Sequence, residues 1–259
     1  MQHNIDPFLI WWYLHGRQPP PPPPAETSVV VVVDGQLLNA VMVRTPEWLA
    51  TAAASLPDSQ VAVSLGLWGC RPVEPDGTVK TPLRNYSPTL MAPADFKTLQ
   101  IPSAPKPELW PENLRRGSPS YDLFSNLKAV LEETHWDSST NRYLVIITES
   151  SAFAKSSGKN SAGLDEQQVK NLADADKVRI CAIHVLVPSD LMADDQRTAE
   201  QQLRVLSDNG VRCYYPVHKS SNLKPSAESD FEMVTAYADG IKAAFGQILG
   251  GVVEGSRKE

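Results

Sequence analysis

Five consecutive valines, Val29 to Val33, run straight into Asp34 and Gly35. The run has neither a helical nor an alternating period, so both of its faces want burial, which marks a central parallel strand rather than a sheet edge. An acid at the carboxyl end of such a strand stands where open α/β sheets place their ligand sites. The rest of the chain is read as the layers that cover this strand.

Similar segments recur downstream. Val61 to Trp68, Tyr143 to Ile147, Ile180 to Val187 and Val211 to Val217 read as further strands. Between them, helices are expected from Trp48 to Leu56 (with Thr45 as N-cap and Pro46 opening the helix), from Ser118 onward, over Asp165 to Ala175 and over Ala199 to Leu206. In the second of these stretches Leu123, Leu127, Val130 and Leu131 keep a 3.6-residue period. Asn209-Gly210 stops the last one, and Phe231 to Leu249 makes a closing helix. Residues 70–112 are rich in proline, with Asp76-Gly77 as a hairpin turn and a short helix at Ala94 to Leu99. Strands alternating with helices imply an α/β, doubly wound fold: a mostly parallel central sheet with helices on both faces.

The domain expected is 29–250, with a tail over 251–259. Ahead of it, residues 1–18 hold the aromatic-aliphatic run Phe8 to Leu14, and 19–28 begin with six prolines, Pro19 to Pro24. Such a run is a stiff polyproline II spacer that also looks like an SH3 or WW ligand; the spacer reading is preferred. Phe8 to Leu14 is too short to span a bilayer and lacks the flanks of a signal peptide. A soluble chain is expected, with the cytoplasm favoured. The net charge of −6 and the lack of Lys/Arg runs argue against nucleic acid as a partner.

Other sources of chemistry are weak. Cys70, Cys181 and Cys213 have no metal-ligand spacing, their odd number suits no closed disulfide framework but leaves room for one disulfide plus a free thiol, and Cys181 reads as a small buried hydrophobe. Ser156 to Ser161 sits between a strand and a helix as a phosphate loop would. However, Phe153 and Asn160 stand where that motif needs Gly and Ser/Thr, so a surface loop is preferred. His184 reads as a half-buried, hydrogen-bonded strand residue, and no G-x-S-x-G elbow is present. Asp194-Asp195 and Glu132-Glu133 read as solvated helix-end charges. The one carboxylate pair suited to acid–base work is Asp34 with Glu149, both at strand ends.

Three segments together resemble the von Willebrand factor A domains: Asp34 ending the first strand, Gly117-Ser118-Pro119-Ser120-Tyr121-Asp122, and Val145-Ile146-Ile147-Thr148-Glu149-Ser150. Val178 to Val185 and Leu203 to Tyr215 are similar to that family's later strands and helix. The resemblance covers roughly residues 28–250. It implies a site for Mg²⁺ or a similar hard cation at the top of the sheet, with Asp34, Ser118 and Glu149 in the ligand places. It also implies protein recognition there, and a role in assembling or scaffolding a larger complex. This chain departs from the family pattern at Asp34-Gly35-Gln36-Leu37-Leu38, where two serines are expected, and at Glu149, where an Asp is expected. Mg²⁺ takes about six oxygens, and these three residues supply half of them. The expectation is a non-catalytic protein-protein interaction module with a degenerate metal site and no cofactor. It would bind another protein through loops 35–45, 69–93, 150–163 and 218–229. A Mg²⁺-dependent binding domain is the alternative, and a hydrolase using Asp34 and Glu149 a further one.

Overall fold

The computed structural model describes residues 25–56, 61–70, 83–102, 121–136, 141–186, 193–207, 213–218 and 230–255. In chain order they form β1 (Ala25–Asp34), α1 (Gly35–Ala54), β2 (Val61–Cys70), β3 (Leu83–Asn85), α2 (Pro93–Phe96) and α3 (Leu123–Glu133). There follow β4 (Asn141–Thr148), α4 (Glu166–Ala175), β5 (Val178–Leu186), α5 (Ala193–Leu206), β6 (Tyr214–His218) and α6 (Asp230–Gly255). The described strands make one sheet in the order β3-β2-β1-β4-β5-β6. All neighbours are parallel except β3, which runs antiparallel along the β2 edge.

The valine run does what its lack of period implies. Val29, Val31 and Val33 point into one core with α1, α2 and α6, while Val30 and Val32 point into a second core with α3, α4 and α5. All five are buried, flanked by β2 and β4. Two apolar layers on one strand are the physical content of a doubly wound sheet.

Several boundaries differ from the sequence reading. β1 starts at Ala25, so residues 25–28 belong to the sheet and not to a linker; Thr27 and Ser28 are buried, and Ser28 Oγ lies 3.0 Å from Ser64 Oγ on β2. α1 begins at Gly35 with no intervening loop, which removes 35–45 from the candidate loops. Thr45 is therefore not an N-cap. It is buried in mid-helix, its hydroxyl donating to the Val41 carbonyl at 2.9 Å, and Pro46 lies inside the helix. Thr-Pro-Glu has the same composition in either setting, so tertiary packing of Val41, Met42, Trp48 and Leu49 decides the outcome. α5 begins six residues before the expected Ala199, and α6 continues through Gly255 into the expected tail. β3 was not anticipated. The Asp76-Gly77 hairpin and the Asn209-Gly210 stop lie outside the described residues.

Candidate interaction face at the carboxyl ends of the strands

Sheet order reverses between β1 and β4, so the crevice at their carboxyl ends is where a ligand site is expected. Asp34 is the last residue of β1, and Glu149 follows β4 directly. The register pairs Val33 with Ile147, so the two acids leave neighbouring strands one residue out of step, on strands about 4.8 Å apart. Both are buried, Asp34 at 1% exposure and Glu149 at 0%. The two acids thus end neighbouring strands at the reversal of the sheet, but in register Asp34 continues the Val30 and Val32 side of β1 and Glu149 the Val145 and Ile147 side of β4, opposite faces of the sheet. Ser118 lies outside the described residues.

Glu149 continues the odd-numbered side of β4, on the α6 side of the sheet. Burial, and secondarily the Glu149 charge, push the Tyr237 phenol of α6 up to about 12. Tyr237 therefore keeps its proton and donates it to the Leu186 carbonyl at 3.3 Å. On the other side, His184 of β5 is fully buried and its Nδ1 lies 2.8 Å from the Tyr214 hydroxyl. Burial drives the His184 pKa down to about 4, against the opposing pull of Glu200 and Asp195. The imidazole is neutral near pH 7. Arg204 stacks 4.3 Å from the Tyr214 ring centroid and pairs with Glu200 at 2.8 Å. The sequence reading of His184 as half-buried is corrected: its polar partners are supplied inside the fold.

The segment after Glu149 is the most heavily tied loop at this end. Thr148 Oγ1 accepts from the Ser150 N–H at 3.1 Å and donates to the Ser150 carbonyl at 3.2 Å. Ser151 gives its N–H (3.1 Å) and its hydroxyl (2.5 Å) to the carboxylate of Asp195 on α5. The Gln202 side chain accepts from Ala152 N–H at 2.8 Å and donates to the Ala152 carbonyl at 3.2 Å. Tyr121 adds a strand-like bridge, its N–H donating to Ser151 and its carbonyl accepting from Phe153. Further along, Asn160 donates to the carbonyls of Phe153 and Leu164 at 3.1 and 2.7 Å. Asp122 accepts from both the N–H and the hydroxyl of Ser161 and from Ser125. The Asp165 capping box of α4, built with Gln168, closes the loop, and Lys155 reaches both residues. What this leaves outward is Ala154 to Ser156, Gly158, Lys159, Ser161 and Ala162.

Asp195 and Gln202 were missed as functional residues, and the reading of Asp195 as a solvated end charge is overturned. A signal existed: seven residues, two helical turns, separate them, so they share one face of the 14-residue α5. It was invisible while that helix was started at Ala199.

Gln36 and Leu38 occupy the places of the two family serines, and the Thr148 and Ser151 hydroxyls next to Glu149 are engaged within the loop. Among the described residues no group of three or more His, Cys, Asp or Glu could hold a metal ion. This donor set falls short of the six or so oxygens of a Mg²⁺ shell. Also among the described residues, no helix is long and apolar enough to cross a membrane.

No protein-family model matches the sequence, and no curated protein matches it. Solved structures do. The pilus adhesin SpaC from Lactobacillus rhamnosus GG, in its open conformation, superposes with a TM-score of 0.51 at 14% identity over 90% of this chain. A second SpaC structure gives 0.50 at 13% over 89%. The chain spans about a third of the length of these SpaC chains, 30% and 31%. The SpRpn10 VWA domain is also similar, with a TM-score of 0.46 at 12% identity, over 86% of this chain and 97% of that domain. With its β3-β2-β1-β4-β5-β6 order, helices on both faces and the SpaC superpositions, the chain has a von Willebrand factor A-like α/β fold.

Proposed function

We propose that this chain is a non-catalytic protein-interaction module of the von Willebrand A type. It takes a partner, another protein or a neighbouring part of a larger complex, on the loops above the carboxyl ends of its strands, without a metal. The observation that carries this is the loop from Ser150 to Asp165. Side chains from α3, α4 and α5 and the segments beside them tie it down, and a run of small and basic residues faces outward. A surface ordered before binding avoids the entropy cost of ordering it on contact. Loop 150–163 is thus the strongest of the expected recognition loops. Of the others, residues 71–82 of 69–93 and residues 219–229 of 218–229 lie outside the described residues.

One feature favours the non-catalytic reading. His184 is neutral, fully buried and hydrogen-bonded to a tyrosine, a setting that suits structure better than proton transfer. The net charge of −6 makes nucleic acid a poor partner. A second reading, a Mg²⁺-dependent ligand domain, draws on Asp34 and Glu149 both standing buried at strand ends beside the reversal of the sheet. A hydrolase built on the same two acids would show turnover abolished by Asp34→Ala.

The test is partner capture from cells by the tagged full chain after crosslinking. It compares wild type with a Ser156→Glu/Lys159→Glu double variant, each with chelator and with Mg²⁺. The proposal expects the same partner in both buffers and its loss from the double variant. Capture that needs Mg²⁺, or that ignores the loop variant, contradicts it.

A further inference from the structure

Cys181 and Cys213 were set apart in the sequence and assigned no common role. The fold puts them side by side. β5 and β6 are parallel neighbours with Ala182 opposite Tyr214, so one residue back Cys181 lies opposite Cys213. The Ala182 N–H donates to the Cys213 carbonyl at 2.6 Å, which fixes that pairing. Both residues belong to the core layer of α1 and α6, so their side chains leave the sheet on the same side. The Cys213 thiol is close enough to be the largest influence raising the Cys181 thiol pKa. Neighbouring parallel strands bring Cα atoms to about 5 Å, inside the 4.4–6.8 Å range in which a disulfide closes.

The two thiols are not equivalent. Cys181 is 1% exposed, whereas Cys213 is half-buried at the outer strand of the described sheet. The Cys213 thiol beside it, together with burial, holds the Cys181 thiol well above its ordinary pKa, and nearby Arg179 opposes this only weakly. Solvent and small oxidants thus reach Cys213 first, and Cys181 waits behind it as a protonated thiol.

We propose that Cys181 and Cys213 form a redox-active dithiol, oxidised by a peroxide to an intrachain disulfide. The Cys213 sulfur attacks one oxygen of hydrogen peroxide, the O–O bond breaks, and Cys213 becomes a sulfenic acid with release of water. The Cys181 sulfur then attacks the Cys213 sulfur, the S–O bond breaks, and the departing hydroxide takes the Cys181 proton as a second water. Two electrons pass from the sulfurs to the peroxide, and a thiol reductant reverses the change. Cys70, buried on β2 and facing the other core, takes no part. The bond would lock β6 to β5 beneath α6.

The test is native hydrogen peroxide treatment of the full chain, alkylation of remaining thiols, and non-reducing tryptic mapping. The expected product joins peptide Ile180–Arg197 to peptide Cys213–Lys219, forms equally in Cys70→Ser, and disappears with dithiothreitol. In Cys181→Ser the Cys213 sulfenic acid should accumulate and be trapped by dimedone. Because each variant is read by the mass of its own peptides, loss of folding is separated by circular dichroism of the same sample. A wild-type Cys213 that over-oxidises while Cys181 stays alkylatable, or a crosslink that requires Cys70, overturns the proposal.

Discussion

Ser151 hands both its backbone N–H and its hydroxyl to one carboxylate, that of Asp195, 44 positions further along the chain. This contact joins the loop above β4 to the first turn of α5. Asp195→Ala would leave a buried hydroxyl and N–H without their charged acceptor, at a cost of about 1–3 kcal/mol. The expected result is a lower midpoint in urea and faster amide exchange confined to residues 150–164. Unchanged exchange there would mean that the loop is held by its other ties.

Asn160 anchors the far side of the same loop, reaching the carbonyls of Phe153 and Leu164 while its own oxygen receives the Leu164 N–H. Asn160→Ala removes donors and acceptor together and should destabilise by roughly 1–3 kcal/mol. Asn160→Asp keeps the acceptor but sets a charge against two carbonyls, so it should do no better. Equilibrium unfolding of the three proteins checks the order.

His184 makes stability depend on pH. Its pKa is lowered to about 4 in the folded protein from an ordinary 6.5. The unfolded chain therefore binds a proton that the folded one refuses between these values. Stability is complete above pH 6.5, falls as pH drops through that window, and the loss is complete below pH 4, at roughly 3 kcal/mol. Urea titrations at several pH values should show the slope, and His184→Gln should flatten the part of it that lies in this window.

Close approach explains two glycines that the sequence did not flag. A Cβ on Gly69 would stand 2.6 Å from Met42 Sδ and 2.8 Å from the Tyr86 ring. One on Gly240 would stand 2.5 Å from Val217 Cγ1, where α6 crosses β6. Gly240→Ala should therefore destabilise by about 1–3 kcal/mol despite the better helix propensity of alanine. Pairing it with Val217→Ala should recover part of the loss, which thermal unfolding of single and double variants would show.

These cases divide what the sequence declared from what it withheld. The valine run, the apolar period of Leu123 to Leu131 and the helix opening near Asp165 act through near neighbours, so their patterns survive in one dimension. The placement of Asp34 and Glu149 at the ends of neighbouring strands was legible because the strand order is recognisable, whereas the faces their side chains leave from depend on the β1–β4 register. The clamp of Asp195 and Gln202 on the loop was not, since it depends on where α5 begins and on which residues lie opposite it. Thr45-Pro46 misled because a cap and a buried mid-helix threonine use the same residues; only the packing around Val41 and Met42 separates them. Cys181 and Cys213 met only once the β5–β6 register was known.

The most direct test of the metal-free account is thermal unfolding of wild type and Asp34→Ala, first in chelator and then in millimolar Mg²⁺, Mn²⁺ or Ca²⁺. A cation that binds the native state must raise the midpoint by mass action. The account predicts no shift in either protein. A clear rise in wild type that Asp34→Ala abolishes would contradict it and establish Asp34 and Glu149 as parts of a working metal site.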